Sequence, residues 1–165
     1  MSSPVTIRPM LPADLDAILR VQAACYPPAM QEAAAVVKAR LDAAAATCLA
    51  ASDADGVCGY LFAYPSRLGR VTDLGAPFGI APDADTLYLH DLAVDPRALG
   101  RGLARALVEH LLDLGRGLDL PHAALVSVQD STRFWNGFGF EARATSDAGL
   151  FTYPPGAVYM ARPLD

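Results

Sequence analysis

An apolar strand pattern, Thr86-Leu87-Tyr88-Leu89-His90-Asp91-Leu92-Ala93-Val94, passes through Asp95-Pro96 and a Gly-containing turn straight into an amphipathic helix. The helix is predicted from about Arg101 to Leu114, with Leu103, Leu107, Leu111 and Leu114 on its buried stripe and Gly115 and Gly117 ending it. Gly100, Gly102 and Ala104 leave backbone N–H groups uncovered at the helix start. Together with the positive end of the helix dipole, such groups form an anion site suited to a diphosphate. Arg97, Arg101 and Arg105 add positive charge around it. A Gly-x-Gly pair also fits a plain turn that needs positive φ, so the spacing alone does not decide. No Gly-Lys-Ser/Thr follows, which excludes a P-loop. A dinucleotide fingerprint fits poorly, because Arg105 stands where its third Gly belongs.

The rest of the chain frames this segment. Its 165 residues suffice for one domain spanning 1–165, and 53% apolar against 19% charged residues supply a sizeable core. A net charge of −5 argues against a nucleic-acid binder working through a broad basic face. No apolar run approaches the roughly 20 residues a membrane span needs. The start, MSSPVTIRPM, shows no leader pattern, and Cys25, Cys48 and Cys58 follow no metal-ligand spacing and demand no disulfide framework. A cytoplasmic protein without membrane or nucleic-acid partners is expected.

Val5–Arg8 reads as an opening strand stopped by Pro9, followed by a helix introduced by Pro12 and Asp14 and broken by Pro27-Pro28. A second helix is predicted from about Met30 to Ala46. Strands at Thr47–Ser52 and Cys58–Tyr64 flank the turn Asp53-Ala54-Asp55-Gly56. Residues 65–85, rich in Gly, Pro and Asp, form a long connection of the kind that serves function. Later come a strand over Ala123–Gln129, a short helix from Ser131 through Trp135, a sheet segment from Gly139-Phe140, and a closing strand at Val158–Arg162. The order describes one α/β domain with a mixed sheet.

Two blocks carry a resemblance. Val94-Asp95-Pro96 followed by Leu99-Gly100-Arg101-Gly102-Leu103-Ala104 resembles the acetyl-CoA motif Gln/Arg-x-x-Gly-x-Gly/Ala of the GNAT superfamily of N-acetyltransferases. Gly102 and Ala104 fit, and Leu99 replaces the Gln or Arg. Phe134-Trp135-Asn136-Gly137-Phe138-Gly139-Phe140 is similar to the family's Phe-Tyr-x-x-x-Gly-Phe block. More narrowly, His90 two residues before Leu92-Ala93-Val94, with Asp130–Trp135, resembles the arylalkylamine (serotonin) branch.

The resemblance implies a GNAT-like acyl-CoA N-acyltransferase fold, a mixed, mostly antiparallel sheet flanked by helices. It implies acetyl transfer from acetyl-CoA, with no metal, to a primary amine, most simply that of a small molecule. Leu92, Ala93 and Val94 would hold the pantetheine arm. Gly100, Arg101, Gly102, Leu103, Ala104 and Arg105 would hold the diphosphate, and Trp135 would pack beside the arm. His90 is the candidate base, since imidazole titrates near working pH. Tyr88, two residues earlier on the same face, could pass protons through a water. A core histidine bonded to a carbonyl is the competing role for His90.

Asp91 could orient His90 or attract the amine, although a strand-end carboxylate also caps turns. Trp135 replaces the Tyr expected to protonate the departing thiolate. An indole cannot do so, which leaves water, Tyr88, Tyr153 or Tyr159 as substitutes. Three readings stay open: the N-acetyltransferase, a CoA-binding sensor or partner-binding module with little catalysis, and a nucleotide-binding α/β protein. A homodimer through the late strands is a further expectation of the resemblance.

Overall fold

The computed structural model describes residues 4–165; positions 1–3 of the stretch read for a leader lie outside them. The sheet is built from β1 (Thr6–Pro9), β2 (Leu49–Asp53), β3 (Gly56–Ser66), β4 (Thr86–Val94), β5 (His122–Ser127), β6 (Glu141–Ala142) and β7 (Val158–Pro163). Its seven strands run in the order β1-β2-β3-β4-β5-β7-β6. Every pairing is antiparallel except β4 with β5. That parallel pair follows from the helix that crosses between them, α3 (Leu103–Gly117), because a parallel return needs a long crossover.

Helices cover both faces. The first, α1 (Leu15–Cys25), buries Ile18 and Val21, while α2 (Ala34–Ala44) buries Val37, Leu41 and Ala44 against Tyr60, Phe62 and Tyr88 of the sheet. On the opposite face α3 places Leu103, Leu107, Val108, Leu111 and Leu112 against Leu61, Leu87, Leu89 and Leu125. Each such side chain taken fully from water stabilises the fold by about 1.5–3 kcal/mol. The short α4 (Thr132–Asn136) adds Trp135 to the same face, where it meets Phe140 edge-on and Phe138 at a tilt.

Two irregularities in β4 create the site. Phe62 opposes Asp91 while Ala63 opposes Leu89, so His90 is the extra residue of a β-bulge. Strands normally turn successive side chains to opposite faces, and an extra residue breaks that alternation. His90 and Asp91 therefore both reach the α1/α2 face. Second, β4 and β5 are paired only from Thr86 to Leu89, opposite His122 to Leu125, although both strands continue. Beyond that point they form a fork.

Several expectations need correction. The second helix begins at Ala34 rather than Met30, because Gln31 and Ala33 are extended (ψ 137° and 147°). Glu32 therefore sits on extended chain. Gly115 does not end α3. It lies inside the helix, and a Cβ there would stand 2.8 Å from Leu87 Cδ2, so glycine permits close packing of helix on sheet. β5 stops at Ser127, since Gln129 and Asp130 adopt positive φ of 52° and 56°. The late segment expected from Gly139-Phe140 starts at Glu141 as β6, and β7 lies between β5 and β6.

Candidate active site at the strand fork

One side of the fork opens a cleft of about 310 Å³ bounded by the β4 stretch Leu92–Val94, by Ala104 of α3, by Val126 and by Trp135. Past Leu89 the β4 edge facing β5 has lost its strand partner, and within this stretch Leu92 O accepts from the Tyr26 hydroxyl at 3.0 Å and Val94 O from the Cys25 thiol at 3.2 Å. Gly100 and Gly102 take φ of +80° and +73°, with no heavy atom within 4 Å of a notional Cβ. Glycine is needed there for its backbone freedom rather than for space. Gly102 caps α3, a helix of 15 residues whose first N–H groups lack intrahelical partners.

The arginines differ in their roles. Arg97 and Arg101 both pair with the Asp53 carboxylate at 3.0 Å, which keeps that carboxyl far below its ordinary range. Arg105 turns aside, packs over the Phe138 ring at 5.1 Å and faces Glu109 at 3.5 Å. It borders a separate shallow groove and does not line the cleft, whereas Leu103 is buried in the core. Leu99 is 66% exposed at the cleft mouth.

The other side of the fork holds a buried polar cluster. The His90 side chain is only 2% exposed, and its Nε2 lies 3.1 Å from Glu32 Oε1. Glu32 accepts two bonds of 2.5 Å from the Arg40 guanidinium and one of 2.7 Å from the Gly75 N–H. Gln22 clamps its backbone, donating to Glu32 O and accepting from Glu32 N, each at 3.0 Å. Burial alone would raise the Glu32 carboxyl, but the bonds and charges of His90 and Arg40 take it down to about 2. Arg40 also donates to Ala76 O and lies 5.1 Å from the Phe78 ring, which meets the His90 ring edge-on. The Tyr153 hydroxyl donates to Thr72 O at 2.7 Å and stands 3.5 Å from His90 Nδ1.

Next to His90, Asp91 Oδ1 accepts from the Tyr26 hydroxyl at 2.8 Å and Oδ2 from Tyr60 at 2.9 Å. Burial pushes the Asp91 carboxyl up, against the opposing pull of His90 and the two hydroxyls. The turn-capping role expected of Asp91 belongs instead to Asp95, which accepts from Arg97 N–H at 3.0 Å. His90 is bonded to a carboxylate and not to a carbonyl. Tyr88 shares its face with His90, with ring centroids 6.3 Å apart, but its hydroxyl is buried without a hydrogen-bond partner among the described residues. The Tyr159 hydroxyl is taken up by Gly69 N–H at 2.8 Å.

Sequence reasoning missed Glu32, Arg40, Tyr26 and Tyr60. One signal was present. Arg40 lies in the helical stripe of Val37, Leu41 and Ala44, and a charge on an apolar stripe requires a buried partner. Nothing in the spacing points to Glu32 as that partner.

Comparison with known proteins agrees with this architecture. GCN5-related N-acetyltransferase 2, chloroplastic, of Arabidopsis thaliana is 36% identical over 64 residues, 39% of this chain and 25% of that protein. The matched stretch thus spans about a quarter of that relative's length. Ard1 from Thermoplasma volcanium superposes with a TM-score of 0.74 at 20% identity, covering 98% of each chain. The GNAT family N-acetyltransferase YhbS from Escherichia coli, solved in complex with CoA, gives 0.68 at 24% identity over 100% of this chain and 84% of that one. At such identities these structures establish the fold. The model of the Acetyltransferase (GNAT) family matches residues 15–140, most of the described chain, and the protein belongs to that family.

Proposed function

We propose that the chain transfers an acetyl group from acetyl-CoA to the primary amine of a small molecule. The observation that carries this reading is the two-sided fork. A stretch of β4 without a strand partner lies on one side, and a buried imidazole emerges from the bulge of the same strand on the other. In YhbS, a relative of the same fold, CoA is bound. Here Leu92, Ala93 and Val94 would pair with the pantetheine arm. Gly100, Arg101, Gly102, Leu103, Ala104 and Arg105 would form the diphosphate turn, contributing backbone N–H groups. Trp135 would close the arm's apolar side.

The acetyl donor supplies the thioester, and the chain's own residues do the rest. A β4 backbone N–H aimed at the developing oxyanion would contribute roughly 3 kcal/mol. His90 acts as the base that readies the amine, within reach of a small pocket lined by Tyr26, Met30, Leu74, Val128 and Tyr153. That pocket holds only about 30 Å³. It is narrowed by a clasp between the 67–85 and 143–157 segments, in which Val71 N–H donates to Asp147 and Leu74 N–H to Thr152 Oγ1. A small primary amine is the acceptor we propose, on the resemblance to the arylalkylamine branch. In this reading residues 1–165 act as one domain, in the cytoplasm, with Cys25, Cys48 and Cys58 as free thiols.

Trp135 favours one second reading, a CoA sensor with little catalysis, because its indole cannot protonate the thiolate. Thermal-shift titration with acetyl-CoA, CoA, NAD and ATP, followed by thiol release with mixed amines and peptides, separates the readings. Acetyl-CoA at 100 times its Kd should add roughly 2.7 kcal/mol of stability, a few degrees in Tm. Thiol release with small amines is expected. A shift with NAD or ATP and none with either CoA species would overturn the assignment, and a CoA shift without thiol release would establish the sensor.

A further inference from the structure

We infer that Glu32 is a positioning residue that holds His90 as its Nε2–H tautomer, so that Nδ1 is the atom that takes the proton from the incoming amine and Tyr153 receives the resulting N–H. The inference rests on the acetyltransferase reading for its chemistry, but its structural half stands on hydrogen-bond inventory alone.

The Glu32 carboxylate is pinned by Arg40 and can only accept, so the proton at the 3.1 Å contact belongs to His90 Nε2. Oε1 accepts from Arg40 and His90, and Oε2 from Arg40 and Gly75, which uses the acceptor capacity of both oxygens. The single hydroxyl proton of Tyr153 is committed to Thr72 O at 2.7 Å. What Tyr153 presents to His90 Nδ1, at 3.5 Å, is therefore an oxygen lone pair. Neutral His90 then carries an Nδ1 lone pair that no donor satisfies. The imidazolium, by contrast, is satisfied at both nitrogens, with Nε2–H on Glu32 and Nδ1–H on Tyr153. This surround is complete only after His90 has gained a proton.

The step balances without another reactant. An ammonium N–H bond of the substrate breaks, directly or across one water, and the Nδ1–H bond forms. The positive charge moves from substrate to ring, and the free amine keeps the electron pair it needs for attack. After turnover the ring returns the proton to water. The bulge makes the geometry available, because without the extra residue His90 and Asp91 would lie on opposite faces.

The titratable and charged groups around the ring come from five segments. They are Glu32 from the α1–α2 connection, Arg40 from α2, Tyr88 and Asp91 from β4, Tyr153 from the 143–157 segment, and, behind Asp91, Tyr26 from the connection and Tyr60 from β3.

Two variants and one spectrum test the inference. Glu32→Gln is expected to lower kcat about a hundredfold. It should also move the acidic limb of the kcat/KM profile to lower pH by about one unit, since the ring loses its facing charge. Tyr153→Phe, which leaves the Glu32–Arg40 pair intact, should move that limb in the same direction by less. A limb that stays in place in both variants, with only Tm reduced, would show Glu32 to be merely structural and overturn the inference. Imidazole 15N–1H spectra of the wild-type protein should show the proton of neutral His90 on Nε2. A proton on Nδ1 overturns the inference whatever the turnover. If no amine releases thiol, the acetyltransferase reading fails by itself, and the spectrum still decides the tautomer.

Discussion

The two sides of the β4–β5 fork are built in opposite ways. The cleft side is made mostly of the end of β4, the Gly turn and the start of α3, with Phe134 and Trp135 beside them. It offers backbone and apolar side chains, and it meets the pocket side at Tyr26, His90 and Asp91. The pocket side is assembled from residues far apart in sequence. Glu32 meets His90 across 58 positions, Tyr153 meets it across 63, and Tyr26 meets Asp91 across 65. It offers buried titratable groups. A ligand common to many chemistries can be held by main chain at a fixed turn. A variable partner needs side chains, and these can be recruited from any segment the fold brings near.

If the halves are independent, each should fail alone. His90→Gln is expected to cut turnover by about 10²–10⁴-fold while leaving the acetyl-CoA thermal shift unchanged. Gly102→Val should do the reverse at the level of binding. A β-branched residue at φ +73° strains the turn by roughly 1–2 kcal/mol and displaces the N–H groups of α3, so the shift with acetyl-CoA should vanish. Loss of the shift in the His90 variant would mean that the two sides form one coupled site.

The pocket side should also matter for folding where the cleft side does not. Removing the Glu32 charge leaves Arg40, 2% exposed, without its counter-ion, and breaking a pair of that kind costs about 3 kcal/mol. Urea denaturation of Glu32→Gln at pH 7 checks this, with Gly102→Ala as the cleft-side comparison at about 1 kcal/mol. Equal losses would erase the contrast.

The same contrast explains what was legible in the sequence. β4 was placed at its observed limits, and the Gly turn and α3 lie where expected, because turn chemistry and a Leu stripe are local signals. The bulge at His90 was invisible. It is a property of register between β3 and β4, and register depends on a partner strand some thirty positions away. That one residue decides that His90 and Asp91 share a face, so the polar cluster could not be assembled on paper. An Ala-rich stretch hid the rest. Where alanine dominates, helix propensity continues through Gln31–Ala33, although the chain there is extended and held by Gln22.

The smallest expected effect separates the two buried carboxyls of the pocket side. Glu32 is held at about 2, below its ordinary 4.5. Its contribution to stability is complete above pH 4.5 and is lost as pH falls toward 2, because the unfolded chain then binds the proton first. Asp91 is raised above its ordinary 3.8, mainly by burial, so the sign reverses. The folded protein binds that proton more tightly, and stability is lost as pH climbs from 3.8 through the raised value. Asn at position 91 cannot ionise and still meets the Tyr26 and Tyr60 hydroxyls. Asp91→Asn should therefore be more stable than wild type at pH 7, by about 0.5–1 kcal/mol, the scale of one neutral hydrogen bond. The gain should disappear by pH 3, where the wild-type carboxyl is itself neutral. Glu32, whose charge helps to raise Asp91, stays mostly ionised in the folded protein from pH 3 to 7, so paired Tm measurements over that range report mainly on Asp91. A variant less stable than wild type at pH 7 would show that the two tyrosines need the charge, placing Asp91 with Glu32 as a carboxylate the fold depends on.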